Sequence, residues 1–409
     1  MHVWVACLLA AALARGADAS AARDARSPAP DAAPRVWASD QRIAEPEPPT
    51  RGFRPLVGVI VSRSGLSAGV GYRYDKIGGT PVGGEAAAMW SVRGYQLYLA
   101  RVGLLESRRD TLELRPPDGS AALMFNHAAV KRPGIALYAD LRYRSYPRHT
   151  FYGIGDRSRR EDRSTYKLRG GSYELVGQWQ PRQPFGVSIR VGVLESIISP
   201  RRGDPDWPSV DERFDPLTVP GFLEHPRYAT IGLGAAFDRR DSPRDPTRGS
   251  FVGASYWRYE AAGRAFDFTR AAIDARAYVP PARLPGVLAL RLLVSADGTA
   301  PGAHVPFFLQ QTLGGGETLR GYPSHRWRDR ALAHATVEYR WHPHPLVEIA
   351  PFVDVGTVAS RVGGLSLARS LASYGIGLRG HWRGRAIGRL DWAHSPEGHR
   401  IVLSTGPIF

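Results

Sequence analysis

Residues 135–144 read IALYADLRYR, and the alternation within them decides the fold. Ile135, Leu137, Ala139, Leu141 and Tyr143 interleave with Tyr138, Asp140, Arg142 and Arg144. Successive strand side chains point to opposite faces, so the segment has one apolar face and one that carries charge. Val187, Ile189, Val191 and Val193 interleave in the same way with Ser188, Arg190 and Gly192. So do Ile273, Ala275, Ala277 and Val279 with Asp274, Arg276 and Tyr278, and Ala335, Val337, Tyr339 and Trp341 with Thr336, Glu338 and Arg340. In a soluble sandwich the apolar face would be the inside. These segments instead run to about ten residues and close on Trp179, Tyr256, Trp257, Trp341, Trp382 and Trp392, which fits tilted membrane strands with interfacial aromatic girdles. The expected fold is an all-β, transmembrane antiparallel β-barrel, apolar face to lipid and charged face to the lumen.

Composition agrees. The 45 Gly, 17 Tyr and 10 Trp suit a glycine-punctuated β protein, and no apolar run reaches the roughly 18 residues of a spanning helix. Connections point the same way. Long stretches at 147–167 and 199–226 alternate with short turns at 181–184, 280–285 and 342–345, as external loops and periplasmic turns do in outer-membrane barrels. The chain ends with Ile401, Leu403, Thr405, Pro407 and Phe409 on one strand face. A terminal strand is what a barrel needs to meet its first strand and remove the sheet edge.

The formal charge of +16 rests almost wholly on arginine, since Lys76, Lys131 and Lys167 are the only lysines. The arginines are scattered and accompany no nucleic-acid module, so a nucleic-acid partner is not expected. They suit a polar lumen or the phosphates of outer-membrane lipid, lipopolysaccharide included. Cys7 is the single cysteine, which excludes a disulfide framework and a cysteine zinc site.

At the start of the chain, Val3 to Ala14 is an apolar run followed by Ala17-Asp18-Ala19, the form of a signal peptide with its cleavage site, giving a leader at 1–19. Residues 20–52 are rich in Ala, Pro, Arg and Asp without period and read as a flexible periplasmic linker. The barrel is expected over 53–409, in the bacterial outer membrane.

Between two alternating runs lies Gln310–Arg330, QQTLGGGETLRGYPSHRWRDR. A connection of that length without a pattern is usually functional. It falls on the long-loop side, hence outside the barrel or folded in from outside. Its Arg320 is a planar fork of donors that suits a carboxylate. Downstream, Phe352, Asp354 and Gly356 share a strand face with Glu348, and by the same parity Glu338 points inward from the preceding strand. Asp354 and Glu338 are the candidate partners of Arg320.

Leu319-Arg320-Gly321-Tyr322 in a glycine-rich loop, followed by Val337-Glu338-Tyr339-Arg340 and Phe352-Val353-Asp354-Val355-Gly356, resembles the barrel of the bacterial surface antigen family, the BamA-type outer-membrane assembly factors and two-partner secretion transporters. The likeness extends to Phe151-Tyr152-Gly153-Ile154-Gly155, to Asp238-Arg239-Arg240-Asp241 with Pro246-Thr247-Arg248-Gly249, and to Phe409. The resemblance implies 16 strands, a sixth external loop folded into the lumen, and a lock of Arg320 on Asp354 and Glu338, with Leu319, Gly321, Tyr322, Phe352 and Gly356 shaping the contact. It further implies a role in polypeptide insertion or translocation or in envelope maintenance, without catalysis or cofactor. Phe409 is then the signal read by the cell's own barrel-assembly machinery. Family members carry periplasmic receiving domains ahead of the barrel, where this sequence has a linker. A client polypeptide is therefore expected to be handled differently, or through a separate periplasmic partner.

The arginine-rich lumen face suits an anion-selective passive channel, the main alternative function. Gly65-Leu66-Ser67-Ala68-Gly69 has the nucleophile-elbow form of an outer-membrane lipase, but sits at a turn between strands with no helix following. His342-Pro-His344-Pro reads as a rigid turn rather than a metal site, since no third ligand is evident. Gly314-Gly315-Gly316 lacks the Lys-Ser/Thr and helix of a P-loop.

Overall fold

The computed structural model describes residues 51–61, 64–74, 77–104, 134–182, 184–204, 206–242, 245–382 and 385–404. The expected leader, nearly all of the linker and Phe409 lie outside them, as does the side chain of Trp382. The wall is one antiparallel sheet of 17 segments. Phe185–Glu195 and Ile197–Pro200 both pair with Ser164–Arg182 and are one strand interrupted at Ser196, so the barrel has 16 strands. In chain order they are β1 (Arg51–Gly58), β2 (Ser67–Tyr74), β3 (Gly83–Ser91), β4 (Gln96–Leu104), β5 (Gly134–Phe151), β6 (Ser164–Arg182), β7 (Phe185–Glu195 with Ile197–Pro200) and β8 (Arg227–Asp238). Then follow β9 (Gly249–Ala261), β10 (Phe268–Val279), β11 (Val287–Thr299), β12 (Ala331–His344), β13 (Val347–Ala359), β14 (Leu371–Trp382), β15 (Arg385–Ser395) and β16 (Gly398–Ser404).

Each strand pairs with its sequence neighbours from β1–β2 through β15–β16. Among the described residues no ladder joins β1 to β16, and the seam lies between them. Away from the seam, β5 and β6 are long, with 18 and 19 residues.

Side-chain parity divides the wall into two environments. Ile135, Leu137, Leu141, Leu175, Ile189, Val191, Ile273, Ile376, Leu378 and Ile401 all face outward and are exposed, Leu175 to 65% and Ile401 to 71%. At roughly 25 cal/mol per Å2, so continuous an apolar belt would be costly in water and is at home in lipid. Trp179, Tyr256, Trp341 and Trp392 join this outer face. Trp257 does not. It lies on the inner parity, stacked on Tyr259 at 6.0 Å and packed over Gly232 of β8, where a Cβ would come within 2.6 Å of the indole. It was expected in the girdle because it follows Tyr256, yet neighbouring strand residues must take opposite faces.

The lumen is filled rather than open. At the loop end an apolar cluster joins Phe151, Tyr166, Phe222, Val305 and Phe307, with Phe151 edge-on to Phe307 at 4.9 Å and to Phe214 at 5.0 Å. Below it the inner face is polar and paired. Asp274 accepts from Arg276 at 2.7 Å and Arg291 at 2.9 Å, Asp140 from Arg142 at 2.8 Å and Arg101 at 3.1 Å, and Glu174 from Arg190 at 2.8 Å.

An arginine introduced at Ile376, midway along β14 and facing lipid, should lower the stability of the folded barrel by about 2–4 kcal/mol, whereas Val279→Arg at the end of β10 should cost about 0–1 kcal/mol. Urea titration of the barrel folded into lipid vesicles measures both. Equal costs at the two positions would contradict a lipid-facing belt.

Candidate functional site

The loop between β11 and β12 enters the barrel. Pro306 precedes a short turn at Phe307–Leu309, and Gln311–Leu313 then pairs with Trp327–Asp329 as a small hairpin inside the wall. Between the hairpin arms the chain doubles back tightly. The N–H of Gly315 donates to the carbonyls of Leu319 and Tyr322 at 3.2 and 3.1 Å, and both Gly314 and Gly315 have positive φ, which side chains resist. Leu313, Leu319, Tyr322 and Trp327 bury together against Leu332 and Val358 of the wall, with Tyr322 edge-on to Trp327 at 4.6 Å. This fold of the loop fixes where residue 320 must point.

Arg320 is fully buried. Its Nε and Nη2 donate to the two oxygens of Asp354 at 2.9 and 2.7 Å, a bidentate fork, and its own backbone N–H donates to Asp354 Oδ2 at 3.1 Å. Nη1 donates to Glu338 Oε2 at 2.9 Å. The guanidinium lies over the Phe352 ring, 3.2 Å from its centroid, so the cation meets the negative face of an aromatic. Thr336 and Ser373 hydroxyls complete Asp354 at 3.0 and 3.4 Å. Glu338 also accepts from Arg340 at 2.9 Å and Arg379 at 2.6 Å. Three strands, β12, β13 and β14, thus converge on one loop residue.

The glycines mark where the loop touches the wall. A Cβ on Gly321 would lie 2.7 Å from Ser373 Cβ of β14 and 2.8 Å from the His394 carbonyl of β15, and Ser395 Oγ donates to the Gly321 carbonyl at 2.8 Å. A Cβ on Gly316 would come within 2.8 Å of Val402 in β16, and Arg389 Nη2 donates to the Gly316 carbonyl at 3.0 Å. On β13, Gly356 makes room for Leu313. Arg326 ties the same loop to two others, donating to Glu397 at 2.7 Å and to Ser158 at 3.0 and 3.1 Å. The Phe151-Tyr152-Gly153-Ile154-Gly155 segment meets it too, with Gly155 N–H donating to the Arg328 carbonyl at 2.7 Å.

The residues singled out in the sequence, Arg320, Asp354, Glu338, Leu319, Gly321, Tyr322, Phe352 and Gly356, are therefore brought together. Asp391 was missed. It is buried 3.8 Å from Arg320 Nη1 and 2.9 Å from Arg389 Nε, and its inward parity against the outward Trp392 was readable. Thr336, Ser373 and Arg379 were missed because only the ladder reveals which inward positions lie level with Asp354. Ser67 opens β2 and its hydroxyl donates to the Gly65 carbonyl at 3.3 Å, in a strand rather than before a helix. The Gly314-Gly315-Gly316 run is backbone packed at the tip of the hairpin.

Residues 224–391 match the Omp85 superfamily domain, a span that holds Arg320, Glu338, Asp354 and Asp391. No curated protein matches the sequence significantly. Among solved structures, BamA from Haemophilus ducreyi lacking POTRA domains 1-3 aligns with a TM-score of 0.61 at 16% identity, over 87% of this chain and 70% of that one. CdiB from Acinetobacter baumannii aligns with a TM-score of 0.48 at 13% identity, over 86% and 56%, and CdiB from Escherichia coli with 0.47 at 9%, over 87% and 59%. At such identities the BamA likeness establishes the shared barrel fold.

Removing one partner leaves the other charge buried and unpaired, which typically costs about 3–5 kcal/mol. Arg320→Ala and Asp354→Ala should each destabilise the barrel by that much, and the double variant by less than the sum of the two. Arg320→Lys should not restore stability, because an ammonium cannot make the bidentate fork. Denaturant titration of the four proteins measures the coupling; strict additivity would mean that the pair is not coupled.

Proposed function

We propose that this chain, an outer-membrane β-barrel carrying an Omp85 superfamily domain, aids the insertion or translocation of polypeptides at the outer membrane, and does so without catalysis. The observation that carries the reading is the lock itself: a buried Arg320 that fastens an in-folded loop to β12, β13 and β14 while the loop tip rests on β15 and β16. A barrel that only spans the membrane has no need of a loop residue bound by four charge-assisted hydrogen bonds at its centre. Here the loop supports the strands that border the seam. The seam between β1 and β16 is where a polypeptide could be passed into the membrane. The long external loops belong at the end where the apolar cluster caps the lumen, and the short turns face the periplasm.

The partners follow the same reading. The outward belt meets lipid, lipopolysaccharide in the outer leaflet. The client is a polypeptide that arrives from the periplasmic end, alone or with a separate periplasmic protein, and Phe409 is the signal for the machinery that inserts this barrel.

The anion-selective channel is the weaker reading, because the lumenal arginines that suggested it are largely spent on carboxylates: Arg276 and Arg291 on Asp274, Arg142 and Arg101 on Asp140, Arg379 and Arg340 on Glu338. With the loop in place, single-channel recordings of the purified barrel should give small, irregular conductance. Crosslinking in cells from a photoreactive residue in 20–52 and from another beside β16 should capture unfolded outer-membrane proteins or a periplasmic partner, with capture at β16 reduced several-fold by Arg320→Ala. Capture of no protein at either position, together with a large and steady anion current, would overturn the proposal in favour of the channel.

A further inference from the structure

At the turn end of the lumen, opposite the lock, four side chains from four elements converge. His342 comes from the last turn-facing residues of β12, Glu348 from the start of β13, His381 from the end of β14, and Asp245 from the connection between β8 and β9. One ligand atom each from Asp245, His342 and His381 lie within 4.8 Å of one another. Glu348 Oε2 is 3.0 Å from His342 Nε2 and 3.7 Å from His381 Nε2, and Asp245 Oδ2 is 3.8 Å from His381 Nε2.

An ion pair between His342 and Glu348 explains two of the four. It leaves His381 unexplained. That side chain is only 3% exposed, yet neither ring nitrogen has a hydrogen-bond partner among the described residues, and Nε2 faces two carboxylate oxygens from a distance too long for a hydrogen bond. Burying an imidazole in that way is costly unless something satisfies it. Donor atoms around a tetrahedral metal with bonds of about 2.0–2.1 Å stand about 3.3 Å apart, close to the separations found here.

The backbone is irregular at both histidines. The β12–β13 ladder shifts register between Trp341 and His344, and the β14–β15 ladder between Gly380 and His381. Such shifts re-aim side chains at a rim. The N–H of His381 is also fixed, donating to the Leu346 carbonyl at 2.8 Å. On the far side, Asp241 shapes the approach of Asp245: its Oδ1 accepts from the N–H groups of Ser242, Thr247 and Arg248 at 2.9, 3.0 and 3.2 Å. Asp245, a few residues before β9, thereby meets His342 of β12 and His381 of β14.

We propose that Asp245, His342, Glu348 and His381 bind a divalent transition metal of the Zn²⁺ class, and that the ion fastens the β8–β9 connection across the turn-end mouth of the lumen. Two imidazoles with two carboxylates suit Zn²⁺ and disfavour Ca²⁺ and Mg²⁺, which take all-oxygen sets. Arg379 and Arg340 lie nearby, but both are engaged by Glu338, and Arg379 also by Glu348, so the cations there are already balanced. His344 has no part in the site; its Nδ1 accepts from the Leu346 N–H at 3.2 Å within the turn. Of the pair in the sequence only His342 thus belongs to the ligand set, and the other three donors come from β13, β14 and the β8–β9 connection.

The test is Zn²⁺ titration of the full chain in detergent micelles, by calorimetry with metal content checked by mass spectrometry. His394 and His399 form an exposed pair at the other end, their Nδ1 atoms 3.2 Å apart, and would bind Zn²⁺ on their own account. Both are therefore changed to Gln in every protein compared. One equivalent should bind, with affinity at least about tenfold weaker in His381→Gln and in Asp245→Asn. Asp245 lies in a partly exposed connection, so its variant keeps the test decisive if His381→Gln fails to fold. Limited proteolysis at the arginines of the 239–248 connection should quicken on chelation in the parent and not in Asp245→Asn. Affinity unchanged by both substitutions would overturn the proposal.

Discussion

A guanidinium buried at the centre of a protein loses its water, and everything around Arg320 answers that loss. Two carboxylates and an aromatic face replace the solvent, and the backbone N–H of Arg320 donates to one of the same carboxylates. Desolvating both charges offsets much of their attraction, so the arrangement is not a large net source of stability. What it supplies is position. Asp354 can accept a fork from one direction only, and Glu338 must at once serve Arg320, Arg340 and Arg379. A loop that slipped by one residue would leave Arg320 and Asp354 without their charge partners in the interior. The lock therefore holds the loop in one place, as a polar contact can and an apolar one cannot.

Elsewhere in the lumen many inner-face arginines are held by a carboxylate on the next strand or two residues along the same one, as Asp274 holds both Arg276 and Arg291. The strong positive charge of the chain is thus not a field directed at a passing anion. Above this polar layer phenylalanines and tyrosines from strand ends and loops pack together at the loop end, and below it Asp245 meets His381 at the turn end. The changeable part of the molecule is the seam beside β1 and β16, which no ladder joins among the described residues.

Strand alternation made the barrel legible, because lipid outside and charge inside impose period two on every segment. It also made the inward set legible: Asp354, Glu338, Phe352 and Gly356 were placed by parity before any distance was known. Parity also contained Asp391 and the inward Trp257. Asp391 went unread because nothing in the linear chain says that β15 stands level with β13, and Trp257 because adjacent aromatics were taken together. The loop was legible as a site through its glycines and its arginine, but its path was not. Whether Arg320 points to lumen or solvent depends on the hairpin at 311–313 and 327–329 and on an apolar cluster assembled from four separate segments.

The sequence by itself determined the class of fold, the inward and outward faces of each strand, and the residue types that would have to meet, since these follow from local periodicity and from the chemistry of charge in a dry interior. Only the tertiary structure decided which of those residues meet. Closing 16 strands brings positions from β12, β13, β14 and β15 to one level around Arg320, and brings His342, Glu348 and His381 within reach of an aspartate about a hundred residues earlier in the chain. Register and shear set those levels, and they are fixed by the summed pairing of the whole sheet rather than by any one segment.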